Sequence, residues 1–127
     1  MARTPEDAVM QFAALFNAGN LKGMLPLIYD SVLTVFEPGE PGAHGKPAWK
    51  DGMERFLRLQ IPLEIEVRAV YHVGDTALVI SDWSINGTAP DGEVRQVQGT
   101  SADVLRQTPD GHWKYLIDNP FGTASRQ

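Results

Sequence analysis

The sequence of 127 residues contains no cysteine. This absence excludes disulfide bonds, thiolate zinc sites, iron–sulfur clusters and a cysteine nucleophile. The sequence also lacks any uninterrupted apolar run near the ~20 residues that a membrane-spanning helix needs. Its first residues contain no apolar stretch of the kind found in secretory signals, so we expect a cytoplasmic protein that does not bind membranes.

Positive charge is also scarce, because 11 Lys and Arg residues stand against 16 Asp and Glu residues and the formal net charge is −5. A nucleic-acid-binding domain would need a basic stripe, so nucleic acid is not the expected partner. The 3 histidines do not fall at metal-ligand spacing, and no nucleophile elbow or glycine-rich phosphate loop is present. We therefore expect neither a bound metal nor a cofactor.

The composition, with 43% hydrophobic and 21% charged residues, predicts a folded chain, and its length predicts a single domain over residues 1–127. Helical spacing of apolar residues predicts a first helix that begins at Thr4 and ends near Gly19. A short second helix is predicted up to Ile28, and a third helix is predicted from Lys46.

Alternation of apolar and polar residues predicts strands in the rest of the chain. One strand begins at Ser31, and a Pro- and Gly-rich loop follows it. Four long strands are predicted over residues 63–73, 76–86, 94–107 and 113–118, with turns between them. Helices followed by an antiparallel meander predict an α+β fold, in which the helices cover one face of a strongly curved sheet and enclose a pocket.

Three carboxylates on the predicted strands are candidates for chemistry. Glu37 shares a strand face with residues that should be buried, which would turn it inward and raise its pKa; alternatively, it begins the loop and is solvated. Asp103 lies on a strand with two mixed faces, so it is either inside or exposed. Asp82 lies in mid-strand, where Asp is disfavoured, and an ion pair on the sheet face explains it better than a pocket role.

Seven short segments follow one another along the chain: FAALFNAGN (12–20), YD (29–30), VFEPG (35–39), AHGK (43–46), VGDTA (73–77), DVLR (103–106) and DGHWK (110–114). In this order they resemble the NTF2-like superfamily and, within it, the ketosteroid-isomerase-like and SnoaL-like proteins. The resemblance implies a cone in which three N-terminal helices pack on a strongly curved, mostly antiparallel sheet. It implies little about function, because enzymes and non-catalytic binders share this scaffold.

The resemblance also implies roles for single residues. In steroid isomerases a carboxylate before a Pro, at the end of the first strand, shuttles a proton, and Glu37 with Pro38 takes that place. A carboxylic acid in the third strand of the meander donates a hydrogen bond to the enolate oxygen, and Asp103 matches it. Asp118 matches the catalytic Asp of SnoaL-like cyclases, unless it only caps the turn that follows.

The hydroxyl groups of the steroid isomerases are mostly missing. The main oxyanion tyrosine aligns with Phe12 and a supporting tyrosine aligns with Met53, so only Tyr29 keeps an aromatic hydroxyl. Steroid isomerisation itself is therefore not expected. The expected ligand-binding residues are Phe12, Phe16, Tyr29, His44, Trp49, Met53, Phe56 and Trp83, although a His in the position of His44, taken alone, is more often a loop residue bonded to backbone.

Two functions stay open for this pocket. The first is a cofactor-independent isomerase- or cyclase-type enzyme acting on a small hydrophobic carbonyl or hydroxyl compound. Glu37 would be the base and Asp103 the neutral donor, with help from Tyr29 or Asp118. The second is a non-catalytic domain that binds a small molecule or a protein partner.

The outer face of the predicted meander is a candidate surface for a protein partner. It includes Gln96, Gln98 and Thr100, which are uncharged and can pack against a copy of themselves. Together with the resemblance, this surface predicts a homodimer through the sheet.

Overall fold

The computed structural model describes residues 2–124. Its helices are α1 (Pro5–Asn17), α2 (Leu21–Met24) and α3 (Lys46–Leu57). Its strands are β1 (Ile28–Thr34), β2 (Ala43–His44), β3 (Leu63–Val73), β4 (Thr76–Thr88), β5 (Val94–Gln107) and β6 (Trp113–Asp118). The ends of the predicted domain, residue 1 and residues 125–127, lie outside the described part of the chain.

Helix α1 begins where the sequence predicts. The side chain of Thr4 accepts a hydrogen bond from the backbone N–H of Asp7 at 3.1 Å, and Pro5 occupies the first turn, where its missing N–H leaves no bond unmade. Val9, Phe12 and the other apolar residues of one face are buried, and the helix packs mainly against β3.

The next segment differs from the prediction. The second helix ends at Met24 and not at Ile28, because Pro26 lacks the N–H that would continue it, and a 3-10 turn over Leu25–Leu27 leads directly into β1. Strand β1 therefore starts before the predicted Ser31 and ends at Thr34. Inside the predicted loop, the two residues of β2 pair with the end of β1.

All six strands form one sheet in the order β2-β1-β6-β5-β4-β3. Every neighbouring pair is antiparallel except β1 and β6, which run parallel. The three helices pack on the inner face of this curved, mixed sheet, which does not close on itself. The predicted α+β class with helices on one face is confirmed.

The hydrophobic core lies between the helices and the inner face of the sheet. Alternate residues of β4 and β5 point into it, among them Val79, Trp83, Ser101 and Leu105. From α3, Trp49 is fully buried in the same core. In the described residues, no helix combines the length and the apolar character that crossing a bilayer requires.

The opposite, outer face of the sheet carries polar side chains around the middle of β4. Asp82 accepts hydrogen bonds from Nε of Arg68 at 3.1 Å and from the hydroxyl of Thr100 at 2.8 Å. The predicted ion pair on the sheet face is thus confirmed at Asp82.

Candidate functional site

A cavity lies between α1 and α3 on one side and the inner face of the sheet on the other. The space that the centre of a water molecule can reach inside it measures about 80 Å³. A single buried water needs only ~10–15 Å³ on this measure, so the cavity has room for several waters or a small organic molecule.

Aromatic rings and aliphatic side chains form most of the cavity wall. The rings are those of Phe12, Phe16, Phe36, Trp49, Phe56, Trp83 and Tyr115, and the other apolar lining residues are Val35, Met53, Leu63, Ile65, Ile85 and Pro120. Polar side chains come from Thr34, Ser101, Asp103 and Asp118, besides the hydroxyl of Tyr115. The cavity lining, as far as the structure describes the chain, contains no Lys, Arg or His.

Two carboxyl groups from neighbouring strands meet at the polar end of the cavity. Asp103 points inward from β5 because it shares the buried face with Ser101 and Leu105, and Asp118 is the last residue of β6. Asp103 is 4% exposed and Asp118 is 8% exposed. Neither carboxyl group forms an ion pair with a basic residue in the described structure, so the apolar surroundings set their charge.

Asp118 is held in place by helix α3. The indole N–H of Trp49 donates a hydrogen bond to Oδ2 of Asp118 at 2.9 Å. Burial raises the pKa of Asp118 from 3.8 to about 6, and the Trp49 donor opposes this rise. The group therefore titrates close to neutral pH, where a carboxyl can both take and give a proton.

Asp103 is held from the chain segment that follows β6. The backbone N–H of Asn119 donates to Oδ1 of Asp103 at 2.8 Å, and the Ser101 hydroxyl also bonds to this carboxyl. Burial raises the pKa of Asp103 well above its ordinary value, and the charge of nearby Asp118 raises it further. When Asp118 has lost its proton, Asp103 therefore still keeps its own.

Tyr115 is a site residue that the sequence reasoning missed. It is buried in the cavity wall, where its ring lies 5.3 Å from that of Phe12, centroid to centroid. Burial raises the pKa of Tyr115 well above 10, and the charges of Asp103 and Asp118 raise it further. The hydroxyl therefore stays protonated beside both carboxyl groups. Tyr115 lies two residues after Trp113 on β6, and alternate residues of a strand point to the same face. A buried Trp113 could therefore have indicated that Tyr115 faces inward.

Thr34 is a second polar residue that the prediction did not include. It lies opposite Asp118 in the parallel pair of β1 and β6, and it is buried in the cavity wall. Its Oγ1 has no hydrogen-bond partner among the described residues. A buried hydroxyl without a partner is costly, so this atom is suited to bond with a bound molecule.

The structure brings most of the predicted ligand-binding residues to this cavity. Its wall includes Phe12, Phe16, Trp49, Met53, Phe56 and Trp83. Tyr29 and His44 lie elsewhere, so their predicted places in the pocket are corrected here. The Tyr29 hydroxyl points to the backbone carbonyl of Arg106 at 3.5 Å, and His44 is exposed on β2 because its neighbour in β1 is outward-facing Leu33.

Glu37 does not face the cavity either, and the predicted inward orientation is wrong. Because β1 ends at Thr34, the alternation that predicted this orientation does not reach Glu37, which is exposed. It lines an outer groove together with Glu40, Asp51 and Arg55.

Phe36 separates that outer groove from the cavity, and both Phe36 and Gly52 line the two spaces. The ring sits against α3 at Gly52, where an added Cβ would lie 1.8 Å from Cε1 of Phe36. A glycine in a helix interior costs about 1 kcal/mol relative to alanine, and here it makes room for this ring. Phe36 thus forms the wall on the side of the groove.

A bound metal ion would need several carboxylate or imidazole ligands that converge on one point. Over residues 2–124, no group of three or more His, Cys, Asp or Glu residues is arranged to hold a metal ion. The polar side chains at this end of the cavity are two carboxyl groups, a phenol and the hydroxyls of Thr34 and Ser101.

Residues 9–116 match the SnoaL-like domain. No curated protein matches the chain. Similar solved structures include a conserved protein from Planctomyces limnophilus, with 19% identity, coverage of 89% of this chain and 88% of that chain, and a TM-score of 0.79. A ketosteroid isomerase-like protein from Erwinia carotovora atroseptica has 21% identity, coverage of 89% and 88%, and a TM-score of 0.68.

An NTF-2 like protein of unknown function from Shewanella oneidensis is also similar, with 12% identity, coverage of 91% of this chain and 97% of that chain, and a TM-score of 0.71. At these identities the likeness to solved structures concerns the fold. The NTF2-like architecture expected from the sequence is thereby confirmed.

Proposed function

The chain belongs to the SnoaL-like domain family, and on this premise we propose that its cavity is an acid–base site. It takes a small, largely apolar carbonyl or hydroxyl compound and moves a proton on it, in a reaction of the isomerase or cyclase type. Asp118 is the base, Asp103 is the neutral acid, and Tyr115 is a second hydrogen-bond donor.

The observation that carries this proposal is the pair of buried carboxyl groups with separated acidities. The pKa of Asp118 is raised to about 6, and the pKa of Asp103 is raised further above its ordinary value by the neighbouring charge. Asp118 then loses its proton before Asp103 does, so there is a range of pH in which one group is ionised and the other protonated. Two carboxyls whose surroundings separate their pKa values are suited to the roles of base and acid.

The reaction follows from these two states. Asp118 accepts a proton from the carbon next to a carbonyl, and the electrons of that C–H bond move onto the carbonyl oxygen. Asp103 and Tyr115 donate hydrogen bonds to this oxygen as it becomes negative. Asp118 then returns a proton to the same or another atom of the substrate, and in D₂O this is a deuteron whenever the carboxyl has exchanged with solvent between the two steps. The side chain ends in its starting state, and no cofactor takes part.

Trp49 supports the base rather than the substrate. Its N–H occupies Oδ2 of Asp118, which leaves Oδ1 for the proton transfer. The aromatic wall excludes bulk water, and this strengthens the hydrogen bonds to the negative oxygen.

The proposal is tested by deuterium exchange of a small ketone such as cyclohexanone in D₂O, followed by loss of its α-proton NMR signal. We expect Asp118→Asn to lower the exchange rate by about 100-fold or more, and Asp103→Asn by a similar factor. Glu37→Gln is the control, because Glu37 lies in the outer groove, and it should leave the rate unchanged. Wild-type protein that exchanges no faster than buffer would contradict proton transfer, and an active Asp118→Asn variant would contradict the assigned base.

Binding without catalysis is the second candidate, and the phenyl ring of Phe12 favours it. At the position where the related isomerases have their main oxyanion hydroxyl, this side chain offers only a hydrophobic contact. The two candidates differ in the exchange experiment, since a binding domain would take up the ketone without exchanging its protons.

We also infer that two copies of the chain pair through the outer face of the sheet. Side chains from five strands form an apolar row in register across this face, namely Tyr71, Leu78, Val104, Ile117 and Leu33. Tyr71 is 63% exposed and Leu78 is 38% exposed in the single chain. A row of this kind can meet its own copy across a two-fold axis, which buries both.

The oligomeric state is tested by sedimentation velocity. We expect the wild-type chain to sediment as a dimer and Leu78→Glu to sediment as a monomer. Arg58→Glu changes an exposed residue at the end of α3, on the helical side of the sheet, and should leave the dimer intact. A wild-type monomer at high protein concentration would contradict the pairing.

A further inference from the structure

The polar end of the cavity has an unbalanced negative charge. Once Asp118 is ionised, no basic side chain in the described lining can pair with it, since the other polar lining groups are the hydroxyls of Thr34, Ser101 and Tyr115 and the carboxyl of Asp103. A buried charge without a partner is unfavourable, and a bound molecule of opposite charge would remove that cost.

The cavity also has a hydrogen-bond acceptor and aromatic rings that can interact with an ammonium group. Oγ1 of Thr34, which lies opposite Asp118 and has no partner among the described residues, can accept one of the hydrogen bonds that an ammonium group donates. The rings of Phe12, Trp49 and Tyr115 stand around the same volume, and aromatic faces attract cations.

The outer groove carries charge of the same sign. Its carboxylates are those of Glu37, Glu40 and Asp51, against the one guanidinium of Arg55. Since Phe36 lines both this groove and the cavity, the negative charge of the groove lies close to the cavity and favours a positively charged molecule on this side.

We propose that the molecule taken up by this cavity carries a positive charge: a small apolar body bearing a protonated amine, whose ammonium group bonds to Thr34 and lies near enough to Asp118 to be attracted by its charge, while Oδ1 of Asp118 stays available for the proton transfer. The proposal deepens the proposed function, on which it rests for the position of the substrate, and it names the substrate class as amine-bearing carbonyl or hydroxyl compounds. Compounds with a carboxylate or a phosphate are rejected by the same charge.

The direct test compares three probes that share one body and differ in charge: benzylamine, benzyl alcohol and benzoate. Their binding is followed by the fluorescence of the wall residues Trp49 and Trp83. At pH 7.5 we expect benzylamine to bind about tenfold more tightly than benzyl alcohol, and benzoate to bind more weakly than both. Equal affinities of the amine and the alcohol, or no binding of the amine, would overturn the proposal.

Variants locate the source of the preference. Asp118→Asn should reduce the preference for the amine over the alcohol to about twofold or less, and Thr34→Val should reduce amine affinity about fivefold. Asp82→Asn on the outer face of the sheet is the matched control, because it removes a carboxylate away from the cavity and the groove, and it should keep the preference. Circular dichroism verifies that each variant is folded. An unchanged preference in folded Asp118→Asn would overturn the proposal.

The pH dependence gives an independent readout. The titratable groups that face Asp118 in the described structure are Asp103 from β5 and Tyr115 from its own strand, while α3 contributes the indole of Trp49 and β1 the hydroxyl of Thr34. Benzylamine stays protonated throughout, so its affinity should fall as Asp118 gains a proton on acidification through about pH 6. Benzyl alcohol should show no such decrease.

The two proposals can fail separately. Ketone exchange without a preference for the amine would overturn the charged substrate and leave proton transfer in place. A preference for the amine with no exchange of any ketone, including an amine-bearing ketone such as aminoacetone, would leave the binding site in place and overturn the proton transfer.

Discussion

Aspartate residues on the two faces of the sheet have pKa values that are shifted in opposite directions. On the outer face, Asp82 is hydrogen-bonded to Arg68 and Thr100, and these bonds hold its pKa below the ordinary range. On the inner face, Asp103 and Asp118 lie among aromatic rings without a basic partner, and burial raises the pKa of both. The hydrogen bonds on the outer face thus favour the charged form of Asp82, whereas burial makes both inner carboxyl groups harder to ionise.

The largest expected effect of this difference is on the pH dependence of stability. An acid whose pKa is higher in the folded than in the unfolded state stabilises the fold at pH values below its unfolded pKa, and that stabilisation is lost as the pH rises through the folded pKa. For Asp118, a rise from 3.8 to about 6 corresponds to about 3 kcal/mol. We expect the free energy of unfolding, measured with urea, to fall between pH 4 and pH 8.

Asp118→Asn should reduce this slope, because asparagine does not titrate and its carbonyl can still accept the Trp49 hydrogen bond. At pH 8 the variant should be more stable than the wild type by up to about 3 kcal/mol while losing activity. A wild-type protein whose stability is the same at pH 4 and pH 8 would show that the inner carboxyls are not perturbed.

A smaller effect is expected from Trp49→Phe. This substitution measures how much the Trp49 hydrogen bond contributes to stability and to the pKa of Asp118. The change removes the N–H donor of Asp118 and part of a fully buried ring, and we expect a loss of about 1–3 kcal/mol in stability. The pKa of Asp118 should rise further, since the lost hydrogen bond favoured the charged form. Trp113→Phe, which removes a buried indole remote from the carboxyls, is the control for volume alone and should leave that pKa unchanged.

The smallest effect is expected on the outer face. Asp82→Asn removes a surface ion pair, and such pairs contribute little in water. The urea midpoint should shift only slightly, the shift should shrink in concentrated salt, and ketone exchange should match the wild-type rate. A large loss of activity in this variant would mean that the two faces are not separate in function.

Much of the fold could be predicted because local signals and burial agree along most of the chain. The Thr4 cap fixed the start of α1, and the strands β5 and β6 have the predicted bounds because their alternation is long and turns enclose them. Strand β2 was missed since a two-residue strand among Gly and Pro has no periodicity to detect. The early end of the second helix depends on a single residue, Pro26.

The site could be predicted only in part, because sequence alternation does not say where a strand ends. Asp103 and Asp118 both line the cavity. The resemblance predicted a catalytic role for Asp103, and for Asp118 it predicted either a catalytic role or a cap on the turn that follows. These catalytic roles stay predictions. The inward orientation predicted for Glu37 is wrong because β1 ends at Thr34, three positions earlier. Tyr115 was missed since the resemblance placed the tyrosines at positions 12, 29 and 53, whereas this hydroxyl comes from β6.

The measurement that tests the central claim most directly is a ¹³C NMR titration of the aspartate carboxyl carbons in the wild-type protein, with Asp103→Asn and Asp118→Asn to assign the signals. The predicted result is two inner carboxyls that titrate in separate steps, Asp118 with a pKa of about 6 and Asp103 above it, and an outer Asp82 that titrates below its ordinary value. If Asp103 and Asp118 both titrate near the ordinary value of 3.8, the cavity holds two ordinary carboxylates, and the proposed acid–base site is contradicted.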